Sequence, residues 1–321
     1  MNGSPGLAAV VKFAILAACL NRSPQGGMAC LNEYEHPHVE PTQKQLTRQH
    51  AAEYLAGIDS GKSVVPSAEA LEQLRLAAAD GDYRAKSDYA VALARHGDLP
   101  QSLEILKAIE VQQPGEYIIA SNLGTVFELS GDDRQALEWI TIGLHRNPAS
   151  HDGSEWLHVK ILQAKLALAK DPAWLNTHSV LGLDFGGADT PSRPAQTVTD
   201  QDGHALSLTD VRRALEYQLR ERLSLVKPTD AVVANLLFDL GNLLMLEKSP
   251  DFAYGVYQVA DRYADDVPLI HQRLIASRGA HGLGGARFMD SLLACAVGVV
   301  IVAIIRLYLK EYFGSSRQPA T

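Results

Sequence analysis

The stretch that decides the fold is Ser121–Pro148, which reads SNLGTVFELSGDDRQALEWITIGLHRNP. It contains no nucleophile beside a base, no cluster of metal ligands and no glycine loop that could cradle a phosphate. Instead, the small residues Gly124 and Ala136 occur together with the bulky Phe127 and Ile140 at spacings that suit two helices in contact. The stretch therefore predicts a helical hairpin rather than a reactive site.

The hairpin pattern recurs with a fixed period. Gly97 precedes Gly131 by 34 residues, and Pro114 precedes Pro148 by the same distance. Each glycine separates two runs that are compatible with helices, and each proline ends the second run. A sequence that repeats helix, glycine turn, helix and proline predicts a stack of hairpins.

The repeated pattern resembles that of the tetratricopeptide repeat (TPR) family, which carries W-x2-L-G-x2-Y in its first helix, A-x3-F in its second and a closing proline. In the unit 117–150 the matching residues are Ala120, Leu123-Gly124, Phe127, Ala136, Ile140 and Pro148. In the unit 83–116 they are Lys86, Tyr89-Ala90, Leu93, Ser102, Leu106 and Pro114. A third match consists of Leu237, Leu240-Gly241, Leu244, Ala253 and Tyr257, although any amphipathic hairpin could produce it.

Most of the predicted soluble region also resembles uncharacterised bacterial TPR-containing membrane proteins, through the blocks SEWLHVKILQAKLALAKDP, THSVLGLDFG and ACLNEY. The two resemblances imply an all-α fold: an α-solenoid of TPR-like helical hairpins followed by one C-terminal transmembrane helix. They imply an anchored interaction protein, and they bring no catalytic residue and no cofactor with them.

The predicted organisation has seven segments: a signal-like leader (1–29), an N-terminal segment with one helix (30–66), TPR-like helical repeats (67–187), a linker (188–208), a C-terminal helical or TPR-like region (209–284), a transmembrane helix (288–310) and a tail (311–321). The patterns predict helices over 41–57 and 67–80, the second capped by Ser67 and stopped by Gly81.

Both ends of the chain carry apolar runs that indicate a membrane. Residues 7–20 are apolar except for Lys12, and three interpretations stay open: a secretory signal cleaved before Cys30, a lipoprotein signal lipidated at Cys19, or a retained N-terminus. Residues 291–305 carry no charge, and the apolar run approaches the roughly 20 residues that span a bilayer. The cations on the two sides of this run are equal in number. The leader therefore favours an exported body, with a tail-anchored protein facing the cytoplasm as the alternative.

Charge and cysteine content argue against a nucleic-acid-binding protein and against a disulfide-stabilised domain. The formal net charge is −8 and no stretch is rich in Lys or Arg, so a nucleic-acid partner is not expected. The three cysteines, two in the leader region and Cys295 in the apolar C-terminal run, cannot form a disulfide framework across the body. The expected partners are other proteins and, through the C-terminal helix, the lipid bilayer.

Few residues are candidates for chemistry. His36 and His38 lack further metal ligands at a helical spacing, and His151 and His158 are expected to face solvent. No metal or cofactor is expected. An enzymatic alternative would place a site in the insertion 172–187.

That alternative would use His178 and Asp184. The DFG motif that begins at Asp184 has no accompanying kinase elements and is a chance match. Because no constellation for acyl or phosphoryl transfer is present, an enzyme is not the favoured interpretation.

The TPR resemblance instead implies a protein-binding groove lined by the first helix of each hairpin. The residues at the groove positions, which the resemblance predicts to be exposed, are Arg84, Ser87, Asp88, Val91, Arg95, Ser121, Asn122, Thr125 and Glu128. The clamp with which some members of the family grip peptide C-termini needs Lys and Asn where Ser87 and Val91 stand, so binding of that type is disfavoured. The function predicted is a membrane-anchored scaffold or adaptor for other proteins.

Overall fold

The computed structural model describes residues 31–34, 65–223, 225–247 and 249–278. Within these ranges the secondary structure is helical, with an isolated bridge between Thr199 and Ala205 in place of any strand. The all-α prediction is therefore confirmed for this part of the chain. The predicted leader, helix 41–57, transmembrane helix and tail lie outside the described residues. Among the helices of the described residues, none is long and apolar enough to cross a bilayer.

The helices are α1 Ala68–Asp80, α2 Tyr83–His96, α3 Leu99–Gln112, α4 Tyr117–Leu129, α5 Asp133–Arg146, α6 Glu155–Lys170, α7 Leu208–Leu223, α8 Ala231–Leu246 and α9 Pro250–Tyr263. Residues 268–278 form a further helix, α10. A helical turn, Ser150–Gly153, precedes α6, and a 3-10 turn, Trp174–Asn176, follows it. Short connections make the first six helices antiparallel neighbours, and each of the first five contacts the next along the chain.

Helix α1 begins and ends as predicted. The Ser67 hydroxyl accepts a hydrogen bond from the Ala70 amide at 3.2 Å, and Gly81 follows the last helical residue. The cap satisfies one of the amide groups that a helix N-terminus leaves without an intrahelical acceptor.

The 34-residue period appears directly in the helix boundaries. Helices α2 and α3 have the same starting positions as α4 and α5 after a shift of one period. Gly97 and Gly131, one period apart, both adopt a left-handed conformation, with φ of 89° and 81°. Asp98 and Asp132 cap the second helix of each pair through the amides of Gln101 and Gln135. The predicted glycine turns are thus confirmed, because a left-handed residue at a helix end favours glycine.

Small residues allow the two helices of a hairpin to touch. A Cβ atom placed on Gly124 would lie 2.5 Å from Cγ1 and 2.9 Å from the backbone nitrogen of Ile140. Gly124 and Ile140 are sixteen residues apart in the sequence, and so are Gly241 and Tyr257. A Cβ atom placed on Gly241 would lie 2.5 Å from the Tyr257 ring. In α2–α3, Ala90 and Leu106 have the same spacing and are both fully buried in one apolar cluster.

Two apolar clusters form the core. The first joins α2 to α5 and includes Leu31 and Leu162. The second joins α6 to α10 and includes residues from the segment between α6 and α7: Val180, Leu181, Leu183, Phe185 and Val198. The predicted linker 188–208 therefore supplies Val198 to the core.

Arg273 fixes part of this segment from α10. Its buried guanidinium donates to the carbonyl oxygens of Phe185 and Ala188, both at 3.1 Å, and to Oδ1 of Asn242 at 2.5 Å. A buried charge of this kind requires such acceptors, so Arg273 ties the segment to α8.

Gly124→Ala tests the hairpin contact. The added methyl gains up to about 1 kcal/mol of helix stability, but overpacking against the Ile140 backbone costs about 1–3 kcal/mol. We expect a lower midpoint of urea unfolding. Gly187→Ala is the control, because nothing lies within 4 Å of its added Cβ. Equal midpoints for the two variants would contradict the contact.

Candidate functional site

Residues 31–34 dock on the face formed by α2 and α4. We call these four residues the docked segment, and the face that carries Asp88, Arg95 and Asn122 the groove. The Asn122 side chain pairs with the main chain of Asn32: its Oδ1 accepts from the Asn32 amide at 2.7 Å, and its Nδ2 donates to the Asn32 carbonyl at 3.0 Å. One amide side chain thereby satisfies both backbone groups of one residue, as a neighbouring strand would.

Two further groove side chains bind the docked segment through its main chain. Asp88 accepts a hydrogen bond from the Tyr34 amide at 2.7 Å, and Arg95 Nη2 donates to the Leu31 carbonyl at 3.4 Å. With Asn122, three residues from two successive hairpins contact four main-chain groups of an extended segment. The groove therefore holds the docked segment by its backbone.

The side chains of the docked segment also have defined surroundings. Leu31 is fully buried in the apolar cluster of α2–α5, and Glu33 forms an ion pair with Arg95. The Tyr34 ring lies edge-on to Tyr83, with ring centroids 5.8 Å apart. These side-chain contacts add to the main-chain bonds that hold the docked segment.

The structure corrects the predicted exposure of the groove. Six of the nine predicted residues are buried: Ser87, Asp88, Val91, Ser121, Asn122 and Thr125. The docked segment covers the part around Asp88 and Asn122, whereas Ser121 lies against Gly143 of α5, inside the hairpin. Arg84 remains exposed, with its guanidinium 5.6 Å from the Tyr34 ring centroid.

A buried network extends from the docked segment toward α7. His151 Nε2 donates to Asn32 Oδ1 at 3.0 Å, and His151 Nδ1 forms an ion pair with Glu155. His158 Nδ1 lies 3.5 Å from the other Glu155 oxygen, and His158 Nε2 bonds Glu128 Oε2 at 2.7 Å. The expectation that both histidines face solvent is therefore wrong: only 8% of His151 and 1% of His158 are exposed.

The backbone places His151 in this position. His151 and Asp152 have φ of 54° and 53°, and Gly153 follows with 67°. A left-handed conformation costs roughly 1–2 kcal/mol for a residue other than glycine, so it persists where the surroundings fix it. The turn aims the His151 ring at both Asn32 and Glu155.

Charges in this network shift one another's pKa. Burial alone lowers the pKa of His151, but the Glu155 carboxylate outweighs it and the net pKa is raised. Burial and Arg222 both lower the pKa of His158, yet Glu128 and Glu155 raise it overall. The pKa of Glu155 is held below its usual range, because the two histidines outweigh its burial. The geometry and these shifts suit two imidazolium rings around ionised carboxylates.

Glu128 lies at the other end of the network. Arg222 Nη1 donates to its Oε1 at 2.6 Å, and Lys165 Nζ to the same oxygen at 3.1 Å. Although burial raises the pKa of a carboxyl group, Arg222, His158 and Lys165 hold the pKa of Glu128 well below its ordinary value. This predicted groove residue thus joins α4 to α6 and α7.

A cavity of about 230 Å³ opens beside Glu128. Its walls include Thr125 from α4, Lys165 from α6, and Glu221 and Arg222 from α7. Burial raises the pKa of Glu221 to about 8, against the opposing charge of His151. A neutral carboxyl group therefore stands beside paired charges at neutral pH.

The residues proposed for an enzymatic site in 172–187 are not brought into this cavity. His178 is exposed and stacks on Trp174 at 4.8 Å, and Asp184 is exposed and accepts from the Gly186 amide. Among the described residues, Asp200, Asp202 and His204 have ligand atoms within 4.8 Å of one another. Asp200 there accepts the amides of the other two residues, which is the bonding of a turn.

Several residues of the site were not predicted from the sequence. The docked segment was assigned only to the N-terminal region, and the roles of Glu155, Glu221 and Arg222 were missed. One signal was available: positions 151, 155 and 158 are four and three residues apart, so they would share one face of a continuous helix. No comparable signal connects Arg222 to Glu128. A scan of the chain against protein-family models finds no match, and neither does a search among curated proteins.

Asn122→Ala tests the main-chain bonds. It removes both contacts to Asn32, each worth about 0.5–1.5 kcal/mol. We expect the amides of Asn32 and Tyr34 to exchange with solvent at least about tenfold faster, measured by hydrogen exchange at single-amide resolution. Asn176→Ala, on an exposed residue, is the control. Unchanged exchange at both amides would show that the docked segment does not depend on Asn122.

Glu221→Gln tests the buried neutral carboxyl. An unfolded glutamate has a pKa of about 4.3, whereas the pKa of Glu221 is about 8 in the folded chain. Folding therefore takes up a proton between these values, and the wild type should lose stability relative to the variant as pH rises from about 4 to about 8. Urea unfolding across this range provides the measurement, with exposed Glu104→Gln as control. A difference independent of pH would contradict the shifted pKa.

Proposed function

We propose that this protein is a membrane-anchored scaffold whose groove binds an extended segment of a partner protein. The observation that carries the proposal is the set of bonds from Asp88, Arg95 and Asn122 to the main chain of the docked segment. Recognition of an extended segment through its backbone is a common mode of peptide binding, with side-chain pockets adding specificity.

We infer that the hairpins belong to the TPR type. The 34-residue shift between helix boundaries supports this inference, as do the left-handed glycines at Gly97 and Gly131. A further support is the contact of Gly124 with Ile140, which is repeated by Gly241 with Tyr257. In such a stack, adjacent hairpins form one continuous surface, which suits a ligand longer than one helix.

The anchoring part of the proposal rests on the sequence. Residues 291–305 carry no charge, and the apolar character continues beyond Arg306. The leader-like residues 7–20 favour an exported body. A cytoplasmic, tail-anchored scaffold with the same groove is the alternative, and a reporter that is active only outside the cytoplasm, fused near residue 265, would distinguish the two.

The test of peptide binding uses a full-length variant in which residues 31–34 are substituted so that they no longer occupy the groove. The four substitutions Leu31→Gly, Asn32→Ser, Glu33→Gly and Tyr34→Ser define the opened variant. We expect this variant to select binders from a random library of displayed peptides. Adding Asp88→Ala and Asn122→Ala should weaken those binders at least about tenfold, since three main-chain bonds are lost.

Asn176→Ala in the opened variant is the matched control and should leave binding unchanged. Circular dichroism and thermal unfolding check that each variant is folded. If the opened variant does not fold, the milder pair Glu33→Ala and Tyr34→Ala retains the buried Leu31 and takes its place. Failure to select any binder, or binders that are indifferent to Asp88 and Asn122, would overturn the proposed function.

A further inference from the structure

We propose that the groove selects partner segments of the pattern aliphatic–Asn–acidic–aromatic, and that residues 31–34 of this chain compete with them for the same site. This inference rests on the proposed function and gives its ligand a chemical identity. It follows from the four side chains of the docked segment, Leu-Asn-Glu-Tyr, each of which meets a different environment.

The first position requires an aliphatic side chain. Leu31 is fully buried and belongs to the same apolar cluster as Val91 and Ala94 of α2 and Leu123 of α4. A polar residue here would lose its hydration, and the apolar surroundings offer no hydrogen-bond partner to compensate for that loss. The position therefore selects by burial.

The second position requires an asparagine-sized acceptor. Oδ1 of Asn32 accepts from His151 Nε2 at 3.0 Å, while Asn122 binds the main chain of the same residue. The other ring nitrogen of His151, Nδ1, pairs with Glu155, and the left-handed backbone at His151 sets the direction of the ring. A donor held so firmly discriminates by geometry as well as by charge.

The third and fourth positions select charge and ring. Glu33 pairs with Arg95, and both side chains are largely withdrawn from solvent, at 14% and 7% exposure. The Tyr34 ring packs edge-on against Tyr83 beneath the Arg84 guanidinium, and its hydroxyl lies 3.5 Å from Glu116 Oε2. An acidic residue followed by an aromatic one satisfies both contacts.

Competition follows from how the docked segment is attached. Thirty residues, 35–64, separate Tyr34 from the first described residue of the body, and the groove bonds themselves are non-covalent. A segment on the same chain acts as an intramolecular ligand, whose effective concentration depends on the length and stiffness of the connection. A partner segment then binds with an apparent affinity equal to its intrinsic affinity multiplied by the fraction of grooves that are empty.

The experiment uses a fluorescein-labelled peptide with the core Leu-Asn-Glu-Tyr between Gly-Ser flanks. Its binding is followed by fluorescence anisotropy on the full-length wild type and on the opened variant. We expect binding to the opened variant to be at least about tenfold tighter, because the tethered competitor has been removed. A peptide with the scrambled core Asn-Tyr-Leu-Glu should bind at least about tenfold more weakly than the ordered one.

A charge exchange supplies a readout that general loss of structure would not produce. Replacing the peptide glutamate by lysine should weaken binding to the opened variant. Arg95→Glu in that variant should restore the lysine peptide while weakening the original one. The pair Glu33→Ala and Tyr34→Ala should raise the affinity of the wild-type chain for the original peptide, which keeps the competition testable if the opened variant does not fold.

The outcomes separate the two proposals. If library peptides of another pattern bind through Asp88 and Asn122 while the Leu-Asn-Glu-Tyr peptide does not, the inference falls and the scaffold function stands. If no peptide binds, both fall. Equal affinities for wild type and opened variant would overturn the competition. A wild-type dimer that the peptide dissociates would also overturn it, because the segment would then be exchanged between two copies.

Discussion

The close contact between the two helices of each hairpin is the constraint on which the other features depend. Gly124 meets Ile140 across α4 and α5 with no room for a side chain. Because successive residues of a helix are about 100° apart, the residue two positions earlier points away from that contact. Asn122 therefore faces the groove, and the shift of one period places Asp88 on the same face of α2. In α8 the equivalent residue is Asp239, where burial raises the pKa well above its usual value, so this position is taken into the core.

The groove and the charge network form one polar interior. Asn32 of the docked segment bonds His151, and the chain of contacts continues through Glu155 and His158 to Glu128. Buried charges are tolerated only when each has a partner of opposite sign and suitable geometry. Occupation of the groove and the ionisation of the network are therefore coupled in free energy, because the docked residue supplies one of the acceptors that the His151 imidazolium requires.

The features that could be predicted from the sequence are local and periodic. The spacing of Gly97 and Gly131 and the small residues between them were enough to predict the two hairpins of α2–α5 and their turns, since these depend on residues within one unit. The burial of Asn122 could not be predicted, because its partner Asn32 lies 90 residues away. The prediction that His151 is exposed was wrong for a different reason. A left-handed turn, which helical periodicity does not reveal, redirects its ring.

In the binding mode proposed above, the contacts of the groove divide between those that give affinity and those that give selectivity. The hydrogen bonds that join Asn122 and Asp88 to the docked segment involve its main-chain atoms, so an extended segment that lacks proline at the donor positions can make the same bonds. In the proposed binding mode, discrimination comes from Arg95, His151, Tyr83 and the apolar cluster around Leu31, which contact side chains of the docked segment. A wrong residue at the buried position loses hydrophobic burial, and a wrong residue at the charged position loses the ion pair. Because these two losses are independent, a short motif can be distinguished from other sequences without a large interface.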